Sequence, residues 1–282
     1  MEEIPLCGGG VFAPTEGGTY IHYNYTIILS YSGINYSGWQ IQREDKNTVQ
    51  EVVIKTIEKV LETKVLKSSY TGRTDRGVSA LAQYFNFFIE KKINDHNSFI
   101  SILNKNLPND IFIIDFFKVD NTFSARFDAI QKNYVYKIAF VEDEEIIKKY
   151  NLVNVLILKK INKDFLFERL DKFIDLFNGK KDYSSYYKPD KDVRKNTVID
   201  LTTSFDIYDF PEFFVLTLTF TAPYFLRNMI RKIVGMFLAF LEYKVDLNYI
   251  EDTFAQPCPS KGKFLAPPEP LVLYSVEYRK KL

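Results

Sequence analysis

KVLKSSYTGRTDRGVSALAQYFNFFI, Lys64–Ile89, is the stretch on which the fold turns. Its flanks, Lys64–Tyr70 and Leu81–Ile89, read as strands, the second from its run of aromatic residues. GRTDRG joins them and is the densest polar cluster in an apolar neighbourhood. Gly72 and Gly77 are expected to adopt backbone conformations that other residues resist, bending the loop tightly around Arg73 and Asp75.

On the N-terminal side, Tyr23–Tyr31 (YNYTIILSY) reads as a strand and Thr48–Lys64 as a helix. Val49, Val52, Val53, Ile57, Val60 and Leu61 recur there at helical spacing, and Thr48 with Glu51 has the spacing of a capping box. On the C-terminal side, Asp95 caps a helix to Asn106, LPND ends it, and Ile111–Val119 returns as a strand. The order is β-α-β-β-α-β. It then repeats: strand Tyr134–Val141, helix Asp164–Phe177 stopped at Gly179, strands Val198–Ile207 and Phe213–Thr221, helix Tyr224–Tyr243, and strand Leu271–Tyr278. Leu247–Phe254 adds a short helix. Two such units predict an α+β protein of two ferredoxin-like halves, with helices on one sheet face and the other face free for a large ligand. The expected divisions are a flexible Gly-rich tail at residues 1–20, a first half at 21–122 and a second at 123–282.

Composition narrows the function classes. The 282 residues carry 37 basic and 36 acidic side chains, a net charge of +1, so any nucleic-acid surface must be a local patch. Two cysteines and two histidines argue against a disulfide framework and a Cys/His zinc site. No apolar run approaches the ~20 residues of a membrane span, and an acidic start without an apolar stretch argues against a secretory signal. These features predict a cytoplasmic protein, or a nuclear or organellar one in a eukaryote.

Several further clusters could carry chemistry. Lys132-Asn133-Tyr134-Val135-Tyr136 sets Tyr134 and Tyr136 on one strand face, where they could stack a base or pack in the core. In the helix Tyr224–Tyr243, Met229, Ile230, Ile233, Val234 and Phe237 form an apolar stripe. Arg231 lies beside it, one turn below Arg227, and needs an anion or a path to solvent; Asp75 is the natural anion if the halves meet across a cleft. Trp39, in a loop bracketed by Gly33 and Gly38, is more often a core residue than a ligand contact. Between positions 180 and 195, Lys180, Lys181, Lys188, Lys191, Arg194 and Lys195 outnumber Asp182, Asp190 and Asp192, with Tyr183, Tyr186 and Tyr187 interleaved. That stretch is either an RNA contact or a solvated loop.

Taken together, these residues resemble the TruA-type tRNA pseudouridine synthases. The family pattern Y-x-G-x-x-Y-x-G-W-Q-x-Q is met from Tyr31 to Gln42, and G-R-T-D-x-G-V from Gly72 to Val78. LPNDI begins at Leu107, F-x-A-R-F at Phe123, K/R-x-Y-x-Y at Lys132 and M-[VI]-R-x-I-V-G at Met229. The resemblance spans residues 23 to 278. Ser79 and Ser124 stand where bacterial members often carry histidine, and Pro268-Glu269-Pro270-Leu271 also departs from the pattern.

The resemblance implies the pseudouridine synthase fold, with a mixed, mainly antiparallel sheet and a central cleft. It implies isomerisation of uridine in tRNA, with the anticodon stem-loop (positions 38 to 40) as the usual target, a homodimer, and no cofactor or metal. Asp75 would be the catalytic carboxylate, with Arg231 pairing it and favouring its charged form. Tyr134 would stack on uracil and take the C5 proton, Arg73 would fill the vacated stack, and Arg126 would contact backbone phosphate. Lys188, Lys191, Arg194 and Lys195 are the expected wider RNA contacts. Two alternatives stay open: a non-catalytic RNA-binding protein of RRM architecture, and a related synthase with other RNA targets. Asp75 discriminates against the first, because a carboxylate facing a polyanion only repels it.

Overall fold

The computed structural model describes residues 22–44, 47–189 and 196–279. The tail expected at 1–20 lies outside them. In the first half, β1 (Tyr23–Tyr31), α1 (Val49–Leu61), β2 (Lys67–Tyr70), β3 (Ser79–Ile89), α2 (His96–Asn106) and β4 (Ile111–Lys118) follow the predicted order. β1 lies between β4 and β3, antiparallel to both, and β2 pairs antiparallel with β3. β1 and β2 therefore run parallel with β3 between them, the split β-α-β arrangement.

The second half builds the same arrangement from β5 (Ala129–Val141), α4 (Lys163–Phe177), β8 (Val198–Asp209), β9 (Phe213–Ala222), α5 (Met229–Leu241) and β10 (Leu271–Tyr278). β5 lies between β10 and β9, and β8 pairs with β9, all antiparallel. β10 also pairs in parallel with β3, Val272 opposite Ser79 and Leu273 opposite Ala80, so one sheet runs through both halves.

Three elements were not anticipated. A short helix, α3 (Glu144–Lys149), and β6 (Leu156–Lys159) form an excursion from the end of β5. It packs Ile146 on Ala139, Val141 and Phe213. β7 (Gly179–Asp182) pairs with β8 as the last strand of the sheet, where charged side chains are tolerated because one edge faces water. α6 (Leu247–Ala255) matches the expected short helix.

Helix ends behave unevenly. Asp95 caps α2 as expected, accepting from Ser98 N–H at 3.0 Å. Thr48 precedes α1 but its hydroxyl caps nothing, and Glu51 instead pairs with Lys55 at 2.7 Å. The capping box expected there does not form.

The core is aromatic. Trp39 is fully buried, its ring 5.7 Å from Tyr31, 5.6 Å from Tyr70 and 5.8 Å from Phe85. Truncating such a residue to alanine costs about 3–5 kcal/mol. Among the described residues, no helix is long and apolar enough to cross a membrane.

Candidate active site

The loop Thr71–Val78, between β2 and β3, is fastened from several sides. Trp39 N–H donates to Thr74 O at 3.2 Å, and the Tyr31 hydroxyl bonds Thr74 Oγ1 at 2.8 Å. Gln83 Nε2 donates to Gly72 O at 2.8 Å, and Thr71 Oγ1 bonds the Tyr278 hydroxyl of β10 at 2.9 Å. Gly38 has φ +104°, and a Cβ there would approach Thr74 O within 2.8 Å, so only glycine lets this segment press on the loop. Gly77, at φ +82°, makes the turn after Asp75. Gly72 departs from expectation. Its φ is not left-handed, and a Cβ would meet nothing nearer than Lys132 Nζ at 3.8 Å and Tyr134 Oη at 4.0 Å.

Opposite this loop stands the start of α5. The helix is shorter than the Tyr224–Tyr243 reading: Asn228 sits at φ 60°, ψ 6°, and α5 begins at Met229. The kink turns the Asn228 backbone N–H onto the Asp75 carboxylate. Arg227 precedes α5 and is exposed, whereas Arg231 lies on it. Arg231 Nη1 stands 3.8 Å from Asp75 Oδ2, and its Nε donates to Ala266 O at 2.9 Å, which fixes the guanidinium. The expected pairing of Asp75 with Arg231 across the two halves is present, as a long ion pair.

Arg231 favours the charged form of Asp75, as expected, but it is not the largest influence on that carboxyl. Burial is the largest influence on Asp75 and pushes its pKa up. Arg231, then Arg227, the Asn228 N–H and Lys188 pull it down without cancelling that rise. Arg231 thus limits the upward shift that burial imposes. Tyr134 on β5 is 6% exposed, its ring edge-on to Phe225 at 5.1 Å. Burial, then the charge of Asp75, drives its hydroxyl pKa well up. Tyr136 shares its face and donates to Pro267 O at 3.1 Å.

Arg73 is exposed beside Asp75, and Arg126 is exposed over the Phe127 ring at 5.3 Å. The basic stretch is only partly a surface. Tyr183 and Tyr186 are fully buried; Tyr183 donates to Phe177 O and Tyr186 bonds Thr253 Oγ1 at 2.7 Å, so neither is free to stack on a base. Lys181 caps the end of α4 through Leu176 O at 2.6 Å. Lys188 donates its backbone N–H to Arg227 O at 3.0 Å and its charge is felt at Asp75, so it belongs beside the pocket. Lys191, Arg194 and Lys195 lie outside the described residues. The Asn228 contact had no local signal in the sequence, because its neighbours continue a helical apolar period.

Fold and site together define a duplicated ferredoxin-like protein with a carboxylate and a guanidinium facing each other between the halves. A family model described as tRNA pseudouridine synthase matches residues 27–128 and 173–279. The chain belongs to the tRNA pseudouridine synthase family. It is 32% identical over 257 residues to "tRNA pseudouridine synthase A 2" of Clostridium perfringens, covering 90% of this chain and 99% of that protein. With "tRNA pseudouridine synthase A" of Ureaplasma urealyticum it shares 31% identity, covering 90% of this chain and all of that one (100%). The Mycoplasmoides gallisepticum protein of the same name is 29% identical, with 92% of each chain covered.

Proposed function

We propose that this chain converts uridine to pseudouridine in tRNA, in the anticodon stem-loop at positions 38 to 40, with Asp75 as the catalytic carboxylate. The observation that carries this reading is the Asp75 carboxylate itself. It is about a quarter exposed (27%), held on a fastened loop, and faced by Arg231 and a helix N-terminus. Such an anion is shielded enough to react and open enough to reach a sugar. The target uridine must leave the stack to meet it. Arg73, exposed next to Asp75, fills the gap left behind, and Tyr134 lies against the displaced uracil.

The reaction breaks N1–C1′, turns the uracil, forms C5–C1′, removes the C5 proton and returns a proton to N1. Nothing is oxidised or reduced and no group enters or leaves, so the chemistry calls for no cofactor. Asp75 acts at the ribose, by adding to C1′ or by removing the C2′ proton; deuterium at C2′ slows turnover only in the second case. The charge on Asp75 is one of two causes holding the Tyr134 phenol up. Once that charge is spent on the sugar, the Tyr134 hydroxyl ionises more easily, and it is the phenolate that takes the C5 proton. We further infer a homodimer that clasps tRNA across both subunits.

Mapping pseudouridine in unmodified tRNA transcripts after incubation with the purified protein tests the function. Modification at positions 38 to 40 is expected, and an unmodified transcript set would overturn it. Light scattering at matched concentration tests the dimer.

A further inference from the structure

Lys132 is the anomaly among the residues beside the Asp75 loop. It lies on β5, two residues before Tyr134, and is only 8% exposed. Its strand neighbours across the sheet are Ala222 on β9 and Val276 on β10, neither of which can hold a charge. Among the described residues, its ammonium makes no hydrogen bond or ion pair. The charged group that acts on it is another cation, Arg126, and burial with this neighbour depresses its pKa to about 8. A buried ammonium with a like charge for company is costly, and the fold itself gains nothing visible from it.

Its position gives the reason. Lys132 Nζ and Tyr134 Oη both face Gly72, at 3.8 and 4.0 Å from where a Cβ would stand, so a methyl there would just touch them. Gly72 is three residues from Asp75, and its backbone does not require glycine. The missing side chain therefore leaves room between a cation, a tyrosine and the catalytic loop. An everted nucleotide whose sugar reaches Asp75 brings its own phosphodiesters to that rim. Phosphate is the anion an RNA has to offer, and two neighbouring cations suit it better than they suit a neutral base edge.

We propose that Lys132 is a substrate-binding residue that holds one backbone phosphate flanking the everted uridine, in the space left open by Gly72. This rests on the synthase reading above. It adds a contact that is completed only when the nucleotide is out of the stack, so its binding energy favours eversion.

The test is a cycle in kcat/KM and Kd between protein and RNA. Wild type, Lys132→Met and Lys132→Arg are assayed on a synthetic hairpin containing the modified uridine. Versions with one neutral methylphosphonate linkage, 5′ or 3′ to that uridine, are run alongside. Lys132→Met is expected to lose about ten- to a hundredfold in kcat/KM, with arginine restoring most of it. One of the two neutral linkages should cost wild type a similar factor and cost Lys132→Met almost nothing further. That linkage identifies the phosphate held. Independent, multiplying losses at both linkages, or a Met variant equal to wild type, would overturn the proposal. A melting temperature no lower than that of wild type for Lys132→Met is expected, since the change removes an uncompensated charge and keeps the aliphatic stem. If the wild type modifies no RNA, the synthase reading has failed, and the Kd cycle still reports whether Lys132 holds a phosphate.

Discussion

The same connection occurs twice in this molecule and was put to opposite uses. In the first half, the link between the second and third strands of the unit is Thr71–Val78, which carries Asp75. In the second half, the corresponding link is the short turn at Phe210–Glu212. Phe210 closes it by donating its N–H to Phe213 O at 2.9 Å, and the two rings stack at 4.4 Å. Glu212 then pairs with Lys149 on the surface at 2.7 Å. The strands around the two links superpose in order and direction, so the sheet alone does not decide where chemistry occurs. The difference lies in what holds each loop. Trp39, Tyr31, Gln83 and Tyr278 all reach the first, whereas the second is met from outside at Glu212, by the surface residues Lys149 and Tyr150.

The largest expected effect comes from taking the charge out of the first link. Asp75→Asn should lower turnover by about a thousandfold or more while tRNA affinity stays within about threefold, as read by tritium release from C5-labelled uridine. Because burial raises the Asp75 pKa, folding binds its proton more tightly. The contribution to native stability is therefore full below the ordinary value of 3.8 and is lost as pH rises from there through the raised value. Asparagine should remove this dependence and raise the melting temperature at neutral pH. The same shift places the acid limb of wild-type kcat above the ordinary aspartate value of 3.8. A limb at or below that value would mean that Asp75 is not the group titrating.

Next in size is the arginine facing it. Arg231→Met should cost turnover about ten- to a hundredfold more than Arg227→Met at matched stability, because only Arg231 is fixed by Ala266 and faces Oδ2. Equal losses would undo the pairing. Smaller still is a contrast between two glycines. Gly38→Ala should destabilise by about 1–3 kcal/mol, since its φ is left-handed and Thr74 O is in the way. Gly72→Ala should leave thermal stability near wild type and reduce kcat/KM, because the methyl meets no protein atom closely. The smallest effect is reserved for the other link. Glu212→Gln should leave tRNA modification unchanged, and a loss there would show that the second connection also serves the reaction.

Much of this was readable from residues in a row. Gly77 of GRTDRG marked the turn after Asp75, and Asp95 marked a helix start, because both signals are local. What escaped depended on distant partners. Asn228 interrupts a helical apolar period and brings its backbone N–H under the influence of Asp75, a residue 153 positions away. Tyr183 and Tyr186 alternate with lysines in the sequence, yet a single 3₁₀ turn at Ser184–Tyr186 rolls both rings into the core. β7 reads as a loop, because GKKD has no apolar period and becomes a strand only by lying along β8.

The last strand in chain order, β10, sets when this enzyme can come into being during synthesis. Tyr278 bonds Thr71 across a separation of 207 residues, and β10 lies between β3 and β5 in the finished sheet. A ribosome delivers the first half long before that strand emerges. Until then, β3 and β5 lack the neighbour that joins them, and Asp75 has no fixed place relative to Arg231. Such late, long-range pairing predicts slow maturation, with activity appearing in a single step after β10 is released. An RNA passing a half-made chain would find no competent site.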